Sequence, residues 1–115
     1  MAWEKASPAM MDLLAEALAD YDCTSRKMFG SVAYFVHGIM FAGVLGSHIM
    51  LRMGPEDREI AFSTYGESVA VEPLGRRMKE YVAVPHEMSE HKDELDAWLG
   101  RSYTFVAALP PKQTT

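Results

Sequence analysis

The chain has 115 residues, a net charge of −5, 49% hydrophobic and 23% charged residues, which is the composition of one folded domain and excludes a disordered polyelectrolyte. A single cysteine, Cys23, excludes an internal disulfide framework, and no apolar run approaches the ~20 residues that cross a bilayer. The excess of acid disfavours non-specific nucleic-acid binding by the surface as a whole.

The polar start MAWEKASP has no apolar signal-peptide segment, and a lone cysteine fits a reducing compartment, so a cytoplasmic domain spanning 1–115 is expected. Ser7-Pro8 opens a first helix, with Ser7 as N-cap and proline at the first helical position. Met10, Leu13, Leu14, Ala17, Leu18 and Tyr21 form its apolar face, and Asp22-Cys23-Thr24 ends it. Cys23 reads as a small packing residue at this junction.

The stretch Arg26–Met53 is almost free of charge and rich in β-branched, aromatic and methionine residues. Ser25–Phe29 reads as a strand that breaks at Gly30. His37-Gly38 and Gly46-Ser47 are two-residue turn signals that separate three further strands, Ser31–Val36, Ile39–Leu45 and His48–Met53, in an antiparallel meander. With both turns two residues long, strict alternation puts Ala33, Phe35, Met40, Ala42, Val44, Ile49, Leu51 and Met53 on one face. It puts Val32, Tyr34, Val36, Ile39, Phe41, Met50 and Arg52 on the other. Both faces are largely apolar, so each needs a cover. The first is expected to pack on the helices, with Leu14, Leu18, Phe35, Leu51, Trp98 and Leu99 buried together. The second is the candidate protein interface, with a homodimer or another protein as its cover. The competing expectation is that the last helix crosses over and seals that face within one chain.

Gly54-Pro55-Glu56 starts a second helix, docked through Ile60, Ala61, Phe62 and Tyr65 and closed by Gly66. Ser68–Glu72 and Met78–Val84 read as two more strands flanking a turn at Pro73–Arg77, and Pro85 stops the second of them. Ser89 is the expected N-cap of a last helix, whose face is Leu95, Trp98, Leu99, Ser102, Phe105, Val106 and Leu109. Pro110-Pro111 ends it, and a loose tail comes after.

Charge is segregated: residues 1–22 hold five acids and one base, residues 23–54 three bases and no acid. Arg26, Lys27, Arg76, Arg77 and Lys79 are therefore the candidate contacts for an anion or nucleic acid, set against the plainer reading of solvated charge. The zincin helix needs histidines four apart, whereas His86 and His91 are five apart and Pro85 sets His86 outside a helix. No nucleophile motif, phosphate loop or dinucleotide fingerprint is present. The expectation is a non-enzymatic domain with no catalytic residue, metal or cofactor. Nine methionines read mainly as adaptable core filler, Met50 being the one best placed for an interface.

Three segments together resemble the TfoX/Sxy N-terminal domain family over nearly the whole chain. They are Arg26–Phe35 with Gly38–Ala42 and Leu51-Arg52; Met78-Lys79-Glu80-Tyr81-Val82-Ala83-Val84-Pro85; and the Trp98…Ser102 helix running to Leu109-Pro110. The resemblance implies a two-layer α+β fold related in shape to secretion-chaperone-like domains, with an antiparallel sheet of about five to six strands and three helices. It also implies a regulatory module like those of bacterial DNA-uptake competence, which act with transcription factors and carry a further C-terminal domain; the expectation here is a stand-alone N-terminal domain without it. It supplies no catalytic residues. The alternatives are a transcription accessory factor touching nucleic acid through the basic residues, or an enzyme of unrecognised type.

Overall fold

The computed structural model describes residues 6–28, 30–72 and 76–110. The turn signals act as expected. β1 (Thr24–Met28), β2 (Ser31–Val36), β3 (Ile39–Leu45), β4 (His48–Arg52) and β5 (Tyr81–Ala83) form one antiparallel sheet in the order β1-β2-β3-β4-β5. His37 and Gly38 both take positive φ (53° and 79°), the primed turn that matches strand twist, whereas at the second hairpin only Gly46 does (60°). α1 (Pro8–Ala17), α2 (Pro55–Tyr65) and α3 (Lys92–Ala107) complete the α+β architecture.

The register departs from strict alternation at one point. Val36 faces Ile39 and Phe35 faces Met40, but Tyr34 faces Ala42 and Ala33 faces Gly43. Phe41 is thus an extra residue, a β-bulge, and Phe41 and Ala42 both join the main core. From Ala42 onward the pairing is as alternation predicts, Ala42 with Leu51 and Val44 with Ile49. Because side chains alternate with a period of two, one inserted residue exchanges the faces of everything before it. Val32, Tyr34, Val36 and Ile39 therefore pack with Ala42, Val44, Ile49 and Leu51, and Met40 moves to the other side. Phe35, its pair, goes with Met40. This corrects the expected core: Leu14, Leu18, Leu51 and Leu99 are buried together and Trp98 packs against them, but Phe35 is half-buried on the opposite face.

The helices lie on one side of the sheet. Ser7 caps α1 by accepting from the Met10 amide at 3.3 Å, and the Ser7 amide donates to the Gly46 carbonyl at 2.8 Å, tying the helix start to the second hairpin. α3 buries Leu95, Leu99, Ser102 and Val106, a 4-3-4 spacing that aims one stripe at the sheet. α2 packs beside it through Ala61, Phe62 and Tyr65, the last meeting Trp98 edge-on at 6.0 Å, while Ile60 stays 57% exposed.

Three local expectations are corrected. Residues 68–72 are not a strand: Gly66–Val69 is a 3-10 turn, followed by a single bridge from Ala70 to Val82. The strand expected at 78–84 is only Tyr81–Ala83. The last helix is not capped by Ser89: His86–Glu90 is a 3-10 turn, and α3 starts at Lys92 after His91. The expected turn at Pro73–Gly75 and the loose tail at 112–115 lie outside the described residues.

Candidate protein interaction face

The bulge that exchanges the faces also orders their backbones. The Tyr81 hydroxyl donates to the Met40 carbonyl at 3.0 Å. On the helix side the Ser102 hydroxyl, fully buried, lies 3.0 Å from the Phe41 carbonyl oxygen and 2.6 Å from that of Arg52, so its single proton serves two strands. A serine one turn along from Leu99 thus pins α3 to β3 and β4 beside the irregularity. Phe41, with no exposure, meets the Tyr103 ring edge-on at 5.5 Å, and Tyr103 meets Tyr21 at 5.0 Å.

The seven residues expected to form an interface divide accordingly. Val36 and Phe41 are core, and Val32, Tyr34 and Ile39 are half-buried against it beneath the helices. Only Met50 and Arg52 lie on the far face. The last helix does seal the larger part of the set within one chain, but by the bulge turning those residues over and not by a helix crossing the sheet.

The far face is built from the residues left behind: Ala33 and Phe35 on β2, Met40, Gly43 and Leu45 on β3, His48, Met50 and Arg52 on β4, Tyr81 and Ala83 on β5. Among the described residues no helix packs on it. Val71 and Met78, either side of the link into β5, cover its β4–β5 end, where the Met78 amide donates to the Val71 carbonyl at 2.8 Å. The Met50 methyl group lies 3.3 Å from where a Gly43 Cβ would be, so the missing side chain there lets Met50 lie flat on β3. Phe35, Met40 and Leu45 remain half-buried towards the β1 end.

The basic residues are not brought together. Arg26 and Lys27 are on edge strand β1, while Arg76, Arg77 and Lys79 precede β5 at the opposite edge. Four strand spacings, about 19 Å, separate the two edges. Even within β1 the two cations diverge. Arg26 pairs with Ala33 on the far-face side and sets its guanidinium 5.3 Å from the Phe35 ring centre, whereas Lys27 pairs with Val32 on the helix side. Arg77 is engaged by Glu67 and by Glu72 (2.9 Å), which raise its pKa, and lies 5.9 Å from the Phe62 ring centre. Arg76 and Lys79 are exposed, and the Lys79 carbonyl accepts from Arg58 of α2 at 2.8 Å.

Other chemistry is sparse. An open groove of about 510 Å³ beside α2 and α3 is lined by Asp57, Ala97, Gly100, Arg101, Thr104 and Phe105, where Asp57 and Arg101 pair with each other at 2.9 Å. Among the described residues no group of three or more His, Cys, Asp or Glu side chains is placed to hold a metal ion, and no helix is long and apolar enough to cross a membrane. Burial pushes the Cys23 thiol up, with Asp22 adding to the rise, and burial likewise raises the phenols of Tyr21 and Tyr34.

The family model of the TfoX N-terminal domain matches residues 12–106. The chain belongs to the TfoX N-terminal domain family. The match runs from α1 to the last turn of α3 and takes in every strand, so the family's unit is the sheet with its helix layer. No curated protein matches the chain. Sequence reasoning missed Ser102 as a strand clamp and Tyr81 as a cross-face tether. Serine inside an apolar helical stripe was the available signal for the first, since a buried hydroxyl requires an acceptor.

Proposed function

We propose that this TfoX N-terminal domain is a non-enzymatic, competence-regulator-like module of the cytoplasm that works by binding another protein chain through the far face of its sheet. The supporting observation is the half-buried apolar set Phe35, Met40 and Leu45, which borders the buried cluster of Met50, Val71, Tyr81 and Ala83 on a face that carries no described helix. The part of Phe35, Met40 and Leu45 still open to water gains by burial at about 25 cal/mol per Å² of apolar surface, and a methionine such as Met40 repacks readily against a partner. A second copy of the chain and a different protein are both chains this face can take.

Photo-crosslinking in the native host tests the reading. A crosslinking residue at Leu45 is expected to capture protein, and one at the exposed Ala97 of α3 is not. Equal capture from both positions, or none from Leu45, overturns it. Sedimentation of the purified domain then reads whether the captured chain is a second copy.

A further inference from the structure

The charge pattern of the far face identifies the kind of chain that covers it. None of the five strands contains an aspartate or glutamate, whereas α1, α2 and α3 all do. The domain, at −5 overall, is thus acidic in its helix layer and carries cations on its far face. Arg26 and Arg52 stand there on either side of an apolar strip made by Phe35, Met40, Leu45 and Met50. Among the described residues neither forms a salt bridge, in contrast to Arg77, Lys92 and Arg101. Arg52 is half-buried beside Tyr81, with which its side chain hydrogen-bonds, and Arg26 is exposed.

We infer that the far face binds an acidic amphipathic helix of a partner protein, with its apolar stripe on Phe35, Met40 and Leu45 and its carboxylates on Arg26 and Arg52; this rests on the far face being the interaction face. A helix is the form that already covers the opposite side of this sheet. A strand added at the open edge would instead run along β1, where Arg26 and Lys27 protect against edge pairing. A second copy related by a two-fold axis would bring another Arg26 and Arg52, and no strand carboxylate, to the same interface, a like-charge arrangement that opposes association. A nucleic acid would bring a continuous polyanion to a domain of net negative charge and to a strip that is mainly aliphatic, with one aromatic ring for base stacking.

The test is NMR titration of the labelled full chain with two synthetic helical peptides that share one leucine stripe, one flanked by glutamates and the other by lysines, and with a short DNA duplex. The glutamate peptide is expected to shift the amides of Arg26, Phe35, Met40, Leu45 and Arg52. It should bind at least about tenfold more tightly than the lysine peptide and weaken as salt is raised. Arg26→Glu, on the exposed edge strand, should erase most of that preference. Equal affinity for both peptides overturns the acidic partner while leaving the interaction face standing. So does self-association through this face that excludes the peptide, and so does tighter binding of the duplex at the same residues. Shifts confined to the helix layer, together with no capture from Leu45, overturn both readings.

Discussion

The bulge at Phe41 decides which residues are core and which are surface, so it is the place to perturb. Phe41 has no exposure and Tyr103 stands edge-on against it. A phenylalanine side chain removes about 200 Å² from water, which at about 25 cal/mol per Å² is about 5 kcal/mol as an upper figure. Phe41→Ala is therefore expected to destabilise by about 3–5 kcal/mol, including the cavity. Phe41→Glu adds an unpaired buried carboxylate and should exceed what a domain with about 5–15 kcal/mol of stability withstands. Leu45→Glu, half-buried on the far face, should cost no more than about 1.5 kcal/mol, the low end for an apolar side chain. The assay is urea unfolding followed by circular dichroism, with the m-value checked for constancy. A folded Phe41→Glu domain about as stable as Leu45→Glu would restore strict alternation, which sets both residues on one face, and would remove the face assignment on which the interaction surface depends.

Three further expectations do not depend on a partner at that face. Ser102→Ala leaves the Phe41 and Arg52 carbonyls without the α3 hydroxyl and should cost about 1–3 kcal/mol; an unchanged urea midpoint would show that the clamp contributes nothing. Burial pushes the Tyr81 phenol up, against the downward pull of Arg52 and with a contribution from Glu80. The folded phenol therefore holds its proton more tightly than the unfolded one, and stability is full below the unfolded value of about 10 and falls as pH rises above it. In Tyr81→Phe that alkaline loss should shrink, as melting curves across the range would reveal; an equal loss in both proteins would assign it elsewhere. Cys23, with its thiol pushed up by burial and Asp22, should react with a disulfide reagent at neutral pH more slowly than an unhindered thiol, and a faster reaction would contradict its burial.

Most of the architecture was legible because it rests on local chemistry. Positive-φ turns at His37-Gly38 and Gly46, proline at the first position of α1 and α2, and the 4-3-4 stripe of α3 each act over a few residues. The bulge was not legible, because nothing in Met40-Phe41-Ala42 distinguishes an inserted residue from a paired one. It is fixed by tertiary partners: Ser102 and Tyr81 on the carbonyls, Tyr103 on the ring. That one residue carries Val32, Tyr34, Val36, Ile39 and Phe41 to the helix side, and it exchanges Phe35 for Phe41 in the core. The segment before β5 misleads for a similar reason. Val69 and Val71 alternate like a strand, but Val69 enters the main core from a 3-10 turn while Val71 covers the far face.

The candidate surface shows the same division between what composition carries and what topology carries. The absence of acid from residues 23–54 is visible in the sequence and holds in the fold as an acid-free sheet. What composition does not carry is where the cations point. Arg26 and Lys27 are neighbours in the chain, yet pleating sends one to the far face and the other to the helix side, and the sheet order sends Arg76, Arg77 and Lys79 to the opposite edge. Arg77 is then engaged by Glu67 and Glu72, ten and five residues away, through a turn where the alternation of 68–72 suggests a strand. A five-residue anion site thus resolves into scattered cations, of which Arg26, joined by Arg52, flanks apolar surface. Charge beside apolar surface selects an amphipathic partner over a uniformly charged one. The sign of that charge, opposite to that of the domain's own helix layer, is the reason the proposed partner is an acidic helix and not a second copy stacked face to face.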